Sequence, residues 1–137
     1  MILSEAINRF DTDVLAHLDR DAAIPHITTA GIQGDVSFLL DQQLTAASTA
    51  VSAAGVPVVR GENGGNTHAL FADGAVFYDR AAVDDDPETT AIGTLTVADE
   101  ATAFLIHPEH GAMSFGPGTW AVGRQREQAD VVAFVED

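Results

Sequence analysis

His107-Pro108-Glu109-His110-Gly111-Ala112-Met113-Ser114-Phe115-Gly116-Pro117-Gly118-Thr119-Trp120 reads as two tight turns with a short strand between them. Proline fixes φ and suits the second position of a β-turn, so residues 107–110 fold the chain back on itself. Pro117 ahead of Gly118 marks a second turn, of type II. Residues three apart point to opposite faces of a straight strand, and Pro108 and Gly111 argue against a helix. The turn is therefore what brings His107 and His110 together. Beyond the second turn, alternation puts Trp120, Val122, Arg124 and Arg126 on one strand face. Turns this closely spaced make the region antiparallel β structure.

Working outward, Ile92–Val97 and Ala101–Ile106 flank Ala98-Asp99-Glu100 and predict a hairpin that delivers the chain to His107. Thr67–Phe71 and Val76–Asp79 flank Asp73-Gly74, a dipeptide favoured in two-residue hairpin loops. Counting outward from that loop pairs Leu70 with Phe77 and His68 with Asp79. Val56–Arg60 contains Pro57 and belongs at a sheet edge. Leu44, Ala47, Val51 and Ala54 recur at helical spacing before Gly55, which predicts a helix over 44–54. Ile27–Ala30 and Val36–Leu40 read as strands joined by residues 31–35, and Val131–Val135 as a last one. At the front, Leu3, Ile7, Phe10, Val14 and Leu18 recur every three or four positions behind Ser4, a capping residue type, and predict an amphipathic helix to about Asp19. The sum is a mainly β fold, a β-sandwich or small barrel of antiparallel hairpins with an N-terminal amphipathic helix, α+β overall. A chain of 137 residues fits one domain over 1–137, with the helix in 1–20 and the β-rich body in 27–137.

Charge is the strongest compositional signal: 21 acidic residues stand against six arginines and no lysine, for a net charge of -15. Such a surface repels itself in dilute buffer and is screened in molar salt, where the Debye length falls to about 3 Å. Aspartate-rich, lysine-free chains resemble the proteins of halophilic archaea and their viruses. Direct nucleic-acid binding needs a basic patch that six arginines do not supply. No apolar run spans a bilayer, and the first residues lack the basic and apolar regions of a signal peptide. The expected location is a virion or the cytoplasm of a high-salt organism, away from membranes. The absence of cysteine removes disulfides, thiolate metal sites and cysteine nucleophiles. Asp84-Asp85-Asp86-Pro87-Glu88 lacks calcium-loop spacing and reads as a solvated acidic loop. Gly61-Glu62-Asn63-Gly64-Gly65-Asn66 lacks the Lys-Ser/Thr of a phosphate loop.

Gln33-Gly34-Asp35-Val36, Gly61-Glu62, Asn66-Thr67-His68, His107-Pro108-Glu109-His110-Gly111, Pro117-Gly118-Thr119 and Arg124-Gln125-Arg126-Glu127 together form an ordered pattern over residues 33 to 127. In it the chain resembles an uncharacterised family of small β-rich proteins of bacteria, archaea and their viruses. The resemblance implies a β-rich body and, at the place of Gly65-Asn66-Thr67-His68, a Gly-His-x-His pair. Here Asn66 replaces the first histidine, and an amide oxygen is a poorer transition-metal ligand than imidazole.

Two functions compete at this level. The first is a noncatalytic structural or interaction protein: a capsid decoration, turret or tail-associated subunit of a halophilic virus. It would be a homo-oligomer or part of a larger assembly, docking through Leu3, Ile7, Phe10, Val14 and Trp120. Catalytic equipment is sparse in the sequence, which has no nucleophile elbow and no paired-carboxylate spacing. The second is a cupin-like metal-binding protein or enzyme in which His68, His107 and His110, with Asp79 or Glu109, hold one divalent ion such as iron, manganese or zinc. Ser114 with His110 as its base is a weaker arrangement, without a third member or an oxyanion hole.

Overall fold

The computed structural model describes residues 1–59, 67–81 and 91–124. The glycine-rich stretch at 61–66, the acidic cluster at 84–88 and the strand expected at 131–135 lie outside the described residues. Helix α1 (Leu3–Phe10) precedes ten strands: β1 (His26–Ile27), β2 (Ala30–Gln33), β3 (Val36–Leu40), β4 (Val56–Val59), β5 (His68–Asp73), β6 (Val76–Arg80), β7 (Ala91–Val97), β8 (Thr102–His107), β9 (Gly111–Phe115) and β10 (Gly118–Arg124). They form two five-stranded sheets, ordered β1-β9-β8-β5-β4 and β2-β3-β10-β7-β6. The expected mainly β architecture with a short N-terminal helix is what the chain adopts. Among the described residues, no helix is long and apolar enough to cross a membrane.

The two sheets face each other across one apolar core of Val36, Phe38, Leu70, Leu95, Leu105, Phe115, Trp120 and Val122. Phe115 joins the layers, its ring 4.3 Å from Phe38 and edge-on to Trp120 at 5.3 Å. The Trp120 indole N–H donates to the Gly116 carbonyl at 3.1 Å, so the one polar atom of this buried ring is satisfied. The first sheet is covered on its outer face as well. Leu3, Ala6 and Val14, with Phe10 beside them, pack on Phe71, Phe104 and Ile106. Burial on both faces explains why Ala103-Phe104-Leu105-Ile106 is a continuous apolar run where alternation would otherwise be expected.

Five expectations need correction. The single strand expected over Ile27–Ala30 is two, β1 and β2, one in each sheet, and residues 31–33 belong to β2 rather than to a connecting loop. Strands β5 and β6 do not pair: β5 lies between β4 and β8, β6 beside β7, and Asp73-Gly74 carries the chain from one sheet to the other. Strands β7 and β8 likewise lie in opposite sheets, with Ala98-Asp99-Glu100 as the crossing. Both crossings sit at the same end, linked by Ala98 N–H to the Ala75 carbonyl at 3.0 Å. Each flanking strand turns an apolar face toward the other sheet, and closing two sheets over those faces buries more of it than extending one sheet would. Helix α1 ends at Phe10 because Asp11 turns left-handed, φ 51°. Val14 and Leu18 still reach the same outer core, but from irregular chain. Residues 44–54 form no helix; Val51 and Tyr78 N–H groups bond across to Val76 and Thr49 carbonyls, so this segment covers the open edge of β6.

Gly93 shows how tight the second sheet is. A Cβ there would fall inside the phenol of Tyr78, whose hydroxyl donates to the Ile92 carbonyl at 3.2 Å. Gly93→Ala is expected to lower unfolding stability by about 1–3 kcal/mol in urea titration, the usual cost of overpacking; an unchanged midpoint would contradict this packing.

Candidate functional site

At the end of the sandwich away from the crossings, one turn from each sheet meets. The β8–β9 turn brings His107 and His110, as the proline turn predicts, and Gly111 pairs back with His107. The β2–β3 turn, Gly34-Asp35, comes from the opposite sheet. His68 opens β5 next to β8, and Arg124 closes β10 opposite Val36. The three imidazoles touch: ring centres are 4.2 Å apart for His68 and His107, 4.5 Å for His107 and His110, and 5.9 Å for His68 and His110. His68 and His107 are buried, His110 exposed.

Hydrogen bonds fix which ring nitrogens carry protons. Gln33 is buried, and its amide nitrogen faces two carbonyls, Leu105 at 3.4 Å and Gly111 at 3.3 Å. Only the NH2 group satisfies two acceptors, so the amide oxygen is the atom turned to His68 Nδ1, 3.0 Å away. An oxygen can only accept there, so His68 carries its proton on Nδ1 and leaves Nε2 as a bare lone pair. That lone pair faces Asp35 Oδ1 at 3.9 Å. In His107 the assignment is reversed. Its Nδ1 accepts the backbone N–H groups of Glu109 and His110, at 3.0 and 3.3 Å, and its proton belongs on Nε2.

Burial holds His68 down from 6.5 to about 4, helped by His107 and opposed by Asp35. Burial, with His110 beside it, also lowers His107, against the opposing pull of Glu109 and Asp35. Both rings are neutral at pH 7. The contact of His68 with Asp35 is therefore two electron-rich atoms face to face, and Arg124 Nε, donating to Asp35 Oδ2 at 3.1 Å, compensates the carboxylate from behind. Gly34 makes the assembly possible. Its φ is +61°, and a Cβ there would stand 3.0 Å from His110 Nε2 and 3.2 Å from His68 Cε1, pushing the rings apart.

The sequence-level set is brought together in part. His68, His107 and His110 converge, whereas Asp79 lies on β6 in the other sheet, opposite Thr94. There its carboxylate accepts the Ser48 and Thr49 N–H groups at 3.1 and 3.0 Å, and the Thr49 side-chain hydrogen bond, followed by these backbone ones, holds it below the usual carboxylate range. Gln33, Asp35 and Arg124 carried no assigned role in the sequence, although all three stand in the segments that carry the family resemblance. Among the described residues, no three His, Asp or Glu groups stand at metal-ligand spacing. Of the positions expected at an interface, Leu3, Val14 and Trp120 are buried within the chain, and Ile7 and Phe10 pack on its outer core. Ser114 contacts His26, not His110, at 2.8 Å. His110 also borders a cavity of about 270 Å3 walled by Leu3, Leu18, Ile24 and Ala112, which leaves that ring open to solvent.

The lowered His68 pKa has a consequence for stability. Unfolded, His68 takes a proton near 6.5; folded, near 4, so the unfolded chain binds more protons between those values. Stability held above pH 6.5 is lost as the pH falls through 4, a loss on the order of 3 kcal/mol from this ring. Urea unfolding in EDTA is expected to fall more steeply with acid for the native chain than for His68→Gln; parallel profiles would contradict the assignment.

Comparison with curated proteins and with solved structures finds no match. A family model does match, over residues 32–125, a span that contains Gln33, Asp35, His68, His107, His110 and Arg124 and leaves out α1. The chain belongs to that family, described as a domain of unknown function, DUF8820.

Proposed function

We propose that the protein binds one divalent transition-metal ion at this end of the sandwich, through His68 Nε2, Asp35 and His110. The observation that carries it is the bare Nε2 of His68, held by Gln33 and aimed at the Asp35 carboxylate 3.9 Å away. Two acceptors facing each other across such a gap repel, and a cation between them turns the repulsion into two bonds. A ligating histidine whose other nitrogen donates to a fixed oxygen is the usual way a protein sets the ligand tautomer.

The donors require adjustment to close on an ion. Ligand bonds of about 2.1 Å at a tetrahedral angle need the gap to narrow by roughly half an ångström. Asp35 and His110 stand on turns, where small movements cost least. His107 is not a ligand in this scheme, because its free lone pair is spent on backbone N–H groups. It braces the turn that presents His110. Two imidazoles and one carboxylate suit iron, zinc or manganese and leave positions on the ion open. An assembly would have to dock through another surface, since the apolar face of α1 packs on the chain's own sheet.

Calorimetric titration of EDTA-stripped protein with zinc tests this, in molar salt so that the diffuse charge is screened. One equivalent is expected to bind. Asp35→Asn and His110→Ala should each weaken binding by about a hundredfold or more, and Gln33→Leu by about 10–100-fold. Asp79→Asn should leave it unchanged. No saturable binding, or equal affinity in Asp35→Asn, would overturn the proposal.

A further inference from the structure

The cavity beside His110 is held open from both sides. Residues 20–24 are tied to the start of the chain by three backbone bonds, Leu3 N–H to Ala22, Ser4 N–H to Arg20 and Ile24 N–H to the Met1 carbonyl, each at 2.9 Å. The Ser114 N–H donates to the Pro25 carbonyl at 2.9 Å and fixes the end of the same segment to β9. The side chains of Ala22, Ala23 and Ala112 are too short to fill the space between. A Cβ built at Gly111, which lines the same cavity, would meet nothing within 4 Å. About 270 Å3 is left, and the hydrogen-bonding side chains that line it, among the described residues, are Asp19 and His110. Asp19 Oδ1 accepts the Asp21 N–H at 2.9 Å, and its Oδ2 makes no hydrogen bond among the described residues. The Nε2–Cδ2 edge of the His110 ring faces Gly34, so Nδ1, the opposite corner, is turned away from that turn. It too makes no hydrogen bond among the described residues.

We propose that this cavity binds a small molecule with an apolar body, one ring or a short branched chain, and a hydrogen-bond donor at its head, a hydroxyl or an amine, that meets Asp19 and His110. Size sets the body. An apolar cavity of about 150 Å3 takes up benzene, so 270 Å3 accommodates a ring with one short substituent. Leu3, Leu18 and Ile24 supply the apolar wall against which it rests. Apolar walls with a few polar groups that fix orientation are the general make-up of small-molecule sites. The polar groups set the head. A carboxylate only accepts, and imidazole can accept as well as donate, so a donating head is satisfied by either side chain. An anionic head is opposed by Asp19, and among the described residues no arginine lines the cavity to offset that; the chain has no lysine. The reading needs no metal ion, because it uses the corner of His110 turned away from Gly34.

Amide shifts of the 15N-labelled full chain, in EDTA and molar salt, test this with three ligands of nearly equal size: p-cresol, benzylamine and benzoate. Saturable shifts centred on residues 18–25 and 110–112 are expected with p-cresol or benzylamine, with a dissociation constant of about a millimolar. The tighter of the two identifies the head. Benzoate, which only accepts, should bind about fivefold more weakly or worse. Ala112→Leu occupies the floor and should weaken binding about tenfold or more, the effect of overfilling a fitted space. Ala22→Leu narrows the mouth and should act in the same direction; Ala22 is exposed, so this variant keeps the fold. His110→Ala should cost about three- to tenfold, the loss of one hydrogen bond. No saturation with either donor ligand, benzoate bound as tightly as both, or undiminished affinity in both leucine variants overturns the proposal. With EDTA present no outcome bears on the zinc titration, so the two readings fail separately.

Discussion

The carboxamide of Gln33 can be satisfied in only one orientation, and the chemistry of the whole site depends on that. Two backbone carbonyls, Leu105 and Gly111, claim its NH2 group, which leaves the oxygen to the buried ring of His68. A flipped amide would set oxygen against two carbonyls and nitrogen against a protonated Nδ1. The cost would be of the order of 1–3 kcal/mol for each buried group left unpaired. A neutral, uncharged contact thereby decides which edge of an imidazole remains nucleophilic. It does so from β2, in the sheet opposite to the one that carries His68.

The sandwich is what permits this arrangement. The packed layer of Phe38, Phe115 and Trp120 fixes the distance between the sheets. With the sheets at that spacing, the β2–β3 and β8–β9 turns close on each other over the end of the core. The outer covering of α1 and residues 11–25 then holds the second turn in place, with the Leu15 N–H donating to the Pro108 carbonyl at 2.8 Å. Packing thus places the histidines, and hydrogen bonds to backbone groups set their protons.

Much of the local structure was legible in the sequence. Pro108 located the β8–β9 turn, alternation put Trp120 and Val122 on one face of β10, and Pro57 marked β4 as an edge, where the sheet order places it; Trp120, expected at an interface, lies in the core instead. The convergence of His107 with His110 followed from turn geometry alone. What could not be read was which strands share a sheet. Asp73-Gly74 has the composition of a hairpin loop, yet it joins two sheets. That error carried Asp79 into the histidine set and hid Asp35, whose proximity to His68 exists only once the layers are stacked. The 44–54 segment misled because Ala, Ser and Thr fit both a helix and an irregular edge, and the unpaired edge of β6 decided between them. Gln33 gave no chemical signal of its own, since an amide acquires a role only from the carbonyls around it.

The proton on His68 is the central claim, and it is directly observable. Long-range 1H–15N correlation spectra of the uniformly labelled, metal-free chain at pH 7, with His68→Gln and His107→Asn used to assign the rings, distinguish a protonated from a bare imidazole nitrogen. Protonation of His68 at Nδ1 with a bare Nε2, and the opposite arrangement in His107, is the expected result. A bare Nδ1 in His68 would contradict the role of Gln33, and with it the geometry on which the proposed metal site rests.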